Sequence, residues 1–323
     1  MFFERRLSLV TGGSGFIGTH LGQALLDRGG QVRLAIHRRD PIISDPRAEI
    51  VRADLTRQDD CLNAMRGVSL VLHAAGAASG VGATPESAMA GIATNLTLTA
   101  QVLQAAWTAG VERVLIFSSS TVYPASDHPI REDELGEQPP HQSYLGYGRM
   151  RRYLEHLAEF VTTRSAVKIA VVRPTAVYGP YDDFTAMTSH VIPSLVRKAV
   201  ARLEPFEVWG TGDEVRDFLH ADDFARGCLL ALEKHAVCDP INIGSGRGTT
   251  IRQLVAIILQ AAGHAGATVR FDRSKPSAIP IRLVDTSKAT RLLGFEPRIS
   301  LEDGLRDLVR WYAGRPRRTA AAT

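Results

Sequence analysis

Residues 7–18, LSLVTGGSGFIG, run from a short apolar stretch through a glycine-rich turn into FIGTHLGQALLDR (16–28), whose apolar spacing is helical. Gly12, Gly15 and Gly18 fall as GxxGxxG between strand and helix. The first glycine permits the tight turn, the second lets a pyrophosphate approach the backbone, and the third lets the helix pack close to the strand. The anion then rests on the helix N-terminus, where unpaired N–H groups and the helix dipole favour it. This stretch therefore predicts a dinucleotide site built on the backbone of Gly12, Gly15, Phe16, Ile17 and Gly18.

Outward from it, strand and helix alternate. QVRLAIH (31–37), AEIVRADL (48–55), SLVLHAAG (69–76), RVLIFSSS (113–120) and KIAVVRPTAVYG (168–179) read as strands with few polar positions, as in a sheet covered on both faces. DDCLNAMRG (59–67), NLTLTAQVLQAAWTAG (95–110) and YLGYGRMRRYLEHLAEFV (144–161) read as helices. This alternation predicts an α/β fold with a Rossmann-type, doubly wound parallel sheet. Past Pro180 the segments shorten and Gly, Pro and Asp punctuate them. The expected division is a dinucleotide-binding domain over 1–180 and a smaller mixed α/β substrate domain over 181–323. A strand, helix and strand within 216–245 could rejoin the first sheet.

The chain of 323 residues is 45% hydrophobic, enough to bury a real core, and its 22% of charged residues argues against wholesale disorder. A net charge of +4 without a long basic run or an aromatic-interleaved patch does not mark a nucleic-acid binder. It does suit a small acidic ligand. Cys61, Cys228 and Cys238 form no CxxC and have no histidine at metal spacing, so they read as reduced thiols in a cytoplasmic protein without a metal site. The start, MFFERRLSLV, lacks a signal-peptide core, and LVAIILQAAG (254–263) is half the length of a membrane span.

After the second strand a carboxylate would serve a ribose 2′-hydroxyl. The sequence places His37, Arg38 and Arg39 there, with Asp40 one step later. Arginines suit a 2′-phosphate, which favours NADP; NAD remains open, with Asp40 on the ribose. Asp54 has the position of an adenine contact or of a helix cap.

TGGSGFIG, ADL, HAAG, FSSSTVYP, the tyrosine-bearing helix and VVRPTAVYGP occur in the order and spacing of the extended short-chain dehydrogenase/reductase family, and the chain resembles that family over essentially its whole length. The resemblance implies an enzyme that is an epimerase, dehydratase or reductase of nucleotide sugars, with Leu55 and Ala74 beside the cofactor. It implies Ser119 as the residue orienting the sugar's reacting oxygen, Tyr147 as the proton carrier, and Arg151 where the family carries lysine. A hydride moving to or from C4 of a sugar requires a proton to move at the C4 oxygen. A free phenol titrates near about pH 10 and is a poor base. A fixed cation beside it favours the phenolate. Arginine is always charged, but its planar fork does not fill the space of an ammonium.

The second half resembles the GDP-L-fucose synthase branch of that family, through YGPYDDFTAMTSHVIPSLVRKA, EVWGTGDEVRDFLHADDFA and KPSAIPIRLVDTSKATRLLGFEPRISLEDGL. That branch epimerises C3 and C5 of GDP-4-keto-6-deoxy-mannose and then reduces C4 with NADPH. The resemblance implies His190 as an acid/base, with Ser120, Lys198, Trp209, Arg216 and Lys275 holding the nucleotide diphosphate and sugar. Cations neutralise a pyrophosphate and an indole gives a flat apolar wall. One position departs from the branch. Where it carries the second epimerisation acid/base, a cysteine, this chain has Thr121. A threonine hydroxyl does not ionise readily near neutral pH. The expectation is an NADP(H)-dependent 4-ketoreductase or epimerase acting at C4 of a GDP- or dTDP-linked 6-deoxy-4-keto sugar. A UDP-sugar 4-epimerase with tightly held NAD is the alternative, and a nucleotide sensor with chemistry impaired by Arg151 a further one. Family members often pair through the helices here near 92–108 and 143–162, so a homodimer is expected.

Overall fold

The computed structural model describes residues 2–77, 84–185, 189–275 and 279–315. In its first half the chain alternates Leu7–Thr11 (β1), Phe16–Asp27 (α1), Gln31–Ile36 (β2), Ala48–Arg52 (β3), Gln58–Ala64 (α2), Leu70–His73 (β4), Pro85–Ala109 (α3), Arg113–Phe117 (β5), Leu145–Arg164 (α4) and Lys168–Pro174 (β6). The second half continues with Ala176–Tyr178 (β7), Val191–Val200 (α5), Phe206–Trp209 (β8), Val215–His220 (β9), Ala221–Lys234 (α6), Ile241–Ile243 (β10), Gly248–Thr250 (β11), Ile251–Ala261 (α7), Val269–Asp272 (β12), Ile281–Arg282 (β13), Ser287–Leu293 (α8) and Leu301–Ala313 (α9). Seven parallel strands form the main sheet in the order β10-β6-β5-β4-β1-β2-β3. The order reverses between β1 and β4, which opens a crevice at their carboxyl ends.

Both faces of that sheet are covered. On one face Leu21, Leu25 and Leu26 of α1 and Phe224, Cys228 and Leu232 of α6 pack over Val10, Leu34 and Leu72. On the other, α2, α3 and α4 bring Cys61, Val102, Ala106 and Ala158 against Leu9, Val71 and Ile116. Burial from both sides is why Leu9 and Val10 of β1 and Leu70, Val71 and Leu72 of β4 are apolar; the polar Ser8, Thr11 and His73 are buried among them. β3 differs: Glu49 and Ile50 are exposed because it is the edge strand.

KIAVVRPTAVYG, read as one strand, is two. Thr175 breaks it; β6 stays in the main sheet, while β7 pairs with β9 in a second sheet that also contains β11 and β13. Of the stretch 216–245, β10 joins the main sheet beside β6, whereas β9 does not. The chain therefore crosses between the two parts more than once. His20 of α1 marks one seam, with its ring nitrogens 2.6 Å from Asp222 Oδ1 and 3.0 Å from the Pro180 carbonyl. A third core, with α5, α7 and α9 around Phe206, Val208 and Phe218, holds up the smaller part. Cys61, Cys228 and Cys238 are unpaired. Among the described residues no helix is long and apolar enough to cross a membrane.

Candidate active site

The turn after β1 is shaped by contact with its neighbours. Gly12 has φ +66°, and a Cβ there would meet Ala75 at 2.9 Å. A Cβ on Gly18 would lie 2.1 Å from the Gly12 carbonyl oxygen, so α1 can start where it does only with glycine at that place. The helix begins at Gly15 with no side-chain cap and no acidic residue in its first turn. Its first N–H groups are thus left for an anion. Phe16 and Ile17 open this helix. A pyrophosphate fits this cradle on its own geometry.

The neighbouring strand ends are tied together. Thr11 Oγ1 lies 2.8 Å from His73 Nδ1 and accepts the Ala75 N–H at 3.0 Å, while His73 Nε2 lies 3.2 Å from Thr99 Oγ1. Burial, reinforced by the nearby Arg151 charge, drops His73 to about 3, so this imidazole is a neutral strut. Ala74 and Leu55 flank the same edge, half-buried and buried respectively. Arg38 and Arg39 are exposed at the end of β2. Asp40 is taken by Arg52 in an ion pair. Asp54 does not cap α2, whose N-cap place is Arg57; its carboxylate closes a turn instead, accepting the Thr56 hydroxyl at 2.7 Å and the Thr56 N–H at 3.1 Å, and these bonds hold it below the usual carboxylate range.

Tyr147 and Arg151 meet on one face of α4. The Tyr147 hydroxyl accepts from Arg151 Nε at 3.0 Å and Nη2 at 2.6 Å, and Arg151 Nη1 donates to the Phe117 carbonyl at the end of β5 at 2.7 Å. The fork that seemed ill suited to an ammonium's place is used as a fork, bridging the phenol to the sheet. The helix is held down at three further points. A Cβ on Gly148 would come 2.4 Å from the Thr121 carbonyl, so α4 lies directly on the loop after β5. Arg152 donates to the Val122 carbonyl at 2.9 and 2.6 Å. Glu155 binds the Ser118 hydroxyl and pairs bidentately with buried Arg173 of β6, at 2.9 and 2.7 Å. Arg173 also donates to the Tyr123 hydroxyl at 2.8 Å. That loop carries Ser119, Ser120 and Thr121, and the Thr121 hydroxyl donates to Ser119 Oγ. Thr121, an expected catalytic position, therefore has its hydroxyl engaged with its neighbour, 2.9 Å away.

A narrow cleft, with room for only about 10 Å³, opens beside this loop, lined by Ser120, Thr121, Tyr144 and Arg282 among others. Arg282 stacks on the Tyr144 ring at 5.0 Å and is the cross-strand partner of Arg216 between β13 and β9. Arg216 is buried and, among the described residues, donates only to the Val215 and Pro280 carbonyls, at 2.8 and 3.2 Å. Neither guanidinium has an ion-pair partner among the described residues. Burial, and then the charge of Arg282, pull Arg216 below the usual arginine range. Like charges side by side on a sheet repel. The pair is an unanswered demand for an anion.

His190 precedes α5 but caps nothing. Its Nδ1 lies 3.3 Å from both oxygens of Asp182, whose side chain is 4% exposed against 52% for the imidazole. The bond to Asp182 raises the imidazole above its ordinary value, against the opposing effect of burial. Lys198 donates to the Glu207 carbonyl at 2.8 Å, and Lys275 lies 5.9 Å from the ring of half-exposed Trp209. Trp209 closes β8, whose parallel partner β12 leads to Lys275, which explains their meeting. Asp182, Arg282 and Gly148 were not singled out in the sequence. The DD of YGPYDDF was the available signal for Asp182; the Arg282–Arg216 pairing spans 66 residues and had none.

A family model described as the NAD dependent epimerase/dehydratase family matches residues 8–244. The chain belongs to that family. As a member of the NAD-dependent epimerase/dehydratase family it is an NAD(P)-dependent nucleotide-sugar epimerase/reductase enzyme. Its relatives include GDP-L-fucose synthase 1 of Arabidopsis thaliana, 33% identical over 275 residues, covering 80% of this chain and 82% of that protein. A dTDP-4-dehydro-6-deoxy-D-allose reductase of Streptomyces is 30% identical over 318 residues, 95% of this chain and 96% of that one. The structure of UDP-glucuronic acid 4-epimerase from Bacillus cereus, in complex with UDP-glucuronic acid and NAD, superposes with a TM-score of 0.82 at 26% identity, covering 95% and 99%.

Proposed function

We propose that the protein reduces C4 of a GDP- or dTDP-linked 6-deoxy-4-keto sugar with NADPH. The observation that carries this reading is the convergence of two Arg151 N–H groups on the Tyr147 hydroxyl, with Arg151 anchored to the Phe117 carbonyl two residues before Ser119. A guanidinium stabilises the phenolate left behind when Tyr147 gives its proton to the C4 oxygen. When bound, the dinucleotide supplies the hydride. Gly12, Gly15 and Gly18 with the first N–H groups of α1 hold its pyrophosphate, and Leu55, Asp54 and Ala74 border its adenosine end. Arg38 and Arg39 supply charge for a 2′-phosphate, while Asp40 is already engaged by Arg52, which favours NADP over NAD.

Arg216 and Arg282 hold the diphosphate of the sugar nucleotide. Lys198, with donors to spare, and the Trp209–Lys275 pair frame the rest of it, and Ser120 faces the sugar. Having its hydroxyl committed to Ser119, Thr121 is no base for C3 or C5, which supports reduction without double epimerisation. The exposed apolar residues Met89 and Trp107 of α3 and Tyr153 and Phe160 of α4 support a homodimer through those helices; sedimentation at twice the 35.1 kDa chain is the expected result.

The test is incubation with GDP-4-keto-6-deoxy-mannose, and separately a dTDP-4-keto-6-deoxy-hexose, with NADPH in heavy water. NADPH oxidation with no deuterium at C3 or C5 is expected. Deuterium at both carbons would refute the inference from Thr121. A second reading, UDP-sugar 4-epimerisation with retained NAD, is favoured by the likeness to the UDP-glucuronic acid 4-epimerase. It requires redox-neutral interconversion of two UDP-sugars and no NADPH consumption.

A further inference from the structure

The oxygen of Ser119 accepts the backbone N–H of Thr121 at 3.1 Å and lies 2.9 Å from the Thr121 hydroxyl oxygen. One proton can sit between the two hydroxyls. When Thr121 supplies it, both Ser119 lone pairs are engaged and only the Ser119 O–H is left to offer, and no described residue accepts it. Thr121 itself is buried at the lining of the cleft, next to Ser119.

We propose that Thr121 is a positioning residue that fixes Ser119 as a pure hydrogen-bond donor to the sugar's C4 oxygen. This rests on the C4 reading above. In the reduction, the C4 carbon gains a hydride from the reduced dinucleotide, its oxygen gains the Tyr147 proton, and the ketone becomes an alcohol. Negative charge passes through that oxygen, and a ketone or alkoxide oxygen can only accept hydrogen bonds. A serine already committed to donating costs no reorganisation at that moment. An unpinned serine would rotate among its staggered wells, and in some of them its O–H would point away from the substrate. The backbone bond from Thr121 maintains the turn; the hydroxyl bond adds the pinning. Replacing the hydroxyl alone separates the two.

The experiment compares Thr121→Val, Thr121→Ser, Ser119→Ala and the Ser119→Ala/Thr121→Val double variant in the full chain, using the 4-keto sugar nucleotide that the wild type reduces. Thr121→Val should lower kcat about 10- to 30-fold with KM within about twofold, and Thr121→Ser should restore kcat to within about threefold. In the Ser119→Ala background the valine should add less than about a twofold loss, because Thr121 acts only through Ser119. Crystal structures give a readout without turnover. Ser119 Oγ should occupy one rotamer in the wild type and in Thr121→Ser, and several in Thr121→Val. A single Ser119 rotamer in Thr121→Val, or an undiminished kcat, or losses that multiply in the double variant, would overturn the proposal. If the wild type turns over no 4-keto sugar nucleotide, it is the C4 reading that fails, and the rotamer result still decides whether Thr121 pins Ser119.

Discussion

At the end of β1 the proposed anion site is bare backbone, whereas the one proposed at β9 and β13 is a pair of guanidiniums with no ion-pair partner among the described residues. The first region is electrically complete as it stands: Gly12 and Gly18 close the turn, and the uncapped start of α1 asks only for a weak complement. The second is strained by its own charge, with Arg216 buried beside Arg282. One half is a fixed socket and the other is a trap that gains stability when an anion arrives. Tyr147 and Arg151 lie on the cofactor side of that divide, because Arg151 is anchored to β5.

The sharpest way to break this division is at the phenol. Tyr147→Phe removes one oxygen whose described partners are the Arg151 donors. Turnover should fall about 10²- to 10⁴-fold with dinucleotide and sugar-nucleotide affinities nearly unchanged, measured by single-turnover kinetics and equilibrium titration. A variant that keeps half its turnover would remove Tyr147 from the proton path.

Next in size is the socket. Gly18→Ala would drive a methyl to 2.1 Å from one backbone atom and 2.7 Å from another, neither of which can swing away. A loss of about 3 kcal/mol or more in denaturant unfolding is expected, with dinucleotide binding abolished. This half was legible in the sequence for the same reason that it is brittle. Its whole geometry is encoded within twelve consecutive residues, and one strand-turn-helix pattern reads it. The parallel, doubly wound sheet followed from alternation, and the roles of Tyr147 and Arg151 from the family resemblance. The trap was not legible. Arg216 suggested itself, but Arg282 joins it only through a pairing between β9 and β13 that neither local sequence announces. Asp182 looked like loop punctuation, and the break at Thr175 was hidden because β6 and β7 are both apolar while belonging to different sheets. Glu155 and Arg173 resembled an ordinary helix charge and a stray strand charge; their buried pairing is a tertiary fact.

A charge-strained trap makes a two-sided prediction. Arg282→Gln should weaken binding of GDP or dTDP about 10- to 100-fold in calorimetric titration, the effect of losing a charged hydrogen-bond donor. The same variant should leave the ligand-free protein no less stable, or up to about 1 kcal/mol more so, because a repulsive neighbour is gone. If ligand-free stability falls instead, the two arginines are structural partners and the contrast with the socket collapses.

A smaller effect tests whether the cofactor side, too, uses arginines to hold an anion. Arg38 and Arg39 stand exposed beyond β2 while Asp40 is occupied by Arg52. Arg38→Ala/Arg39→Ala should raise the KM for NADPH about tenfold and leave that for NADH unchanged, as expected for lost contacts to a 2′-phosphate. Equal changes for both cofactors would place these arginines elsewhere than the 2′-position.

The smallest expected effect lies at His190, close enough to Arg282 to feel its charge. Its bond to Asp182 raises the imidazole above its unfolded value, with Asp183 assisting and Arg282 of β13 opposing. A raised histidine stabilises the fold fully below its unfolded pKa, about 6.5, and loses that contribution as pH climbs through the higher folded value. Because the imidazole is 52% exposed, solvent screening holds the contribution under about 1 kcal/mol. The Tm gap between the wild type and Asp182→Asn should accordingly be widest near pH 5.5 and shrink above neutrality. Only a charged imidazole rewards the carboxylate, whereas the loop bond from the Asp183 N–H to Asp182 Oδ1 at 2.7 Å survives in an asparagine oxygen at any pH. A gap that stays flat from pH 5 to 9 would mean that Asp182 serves the loop alone and leaves His190 unassisted. A gap that widens with pH would reverse the sign of the linkage and require an anion, rather than a proton, to bind that corner of the site.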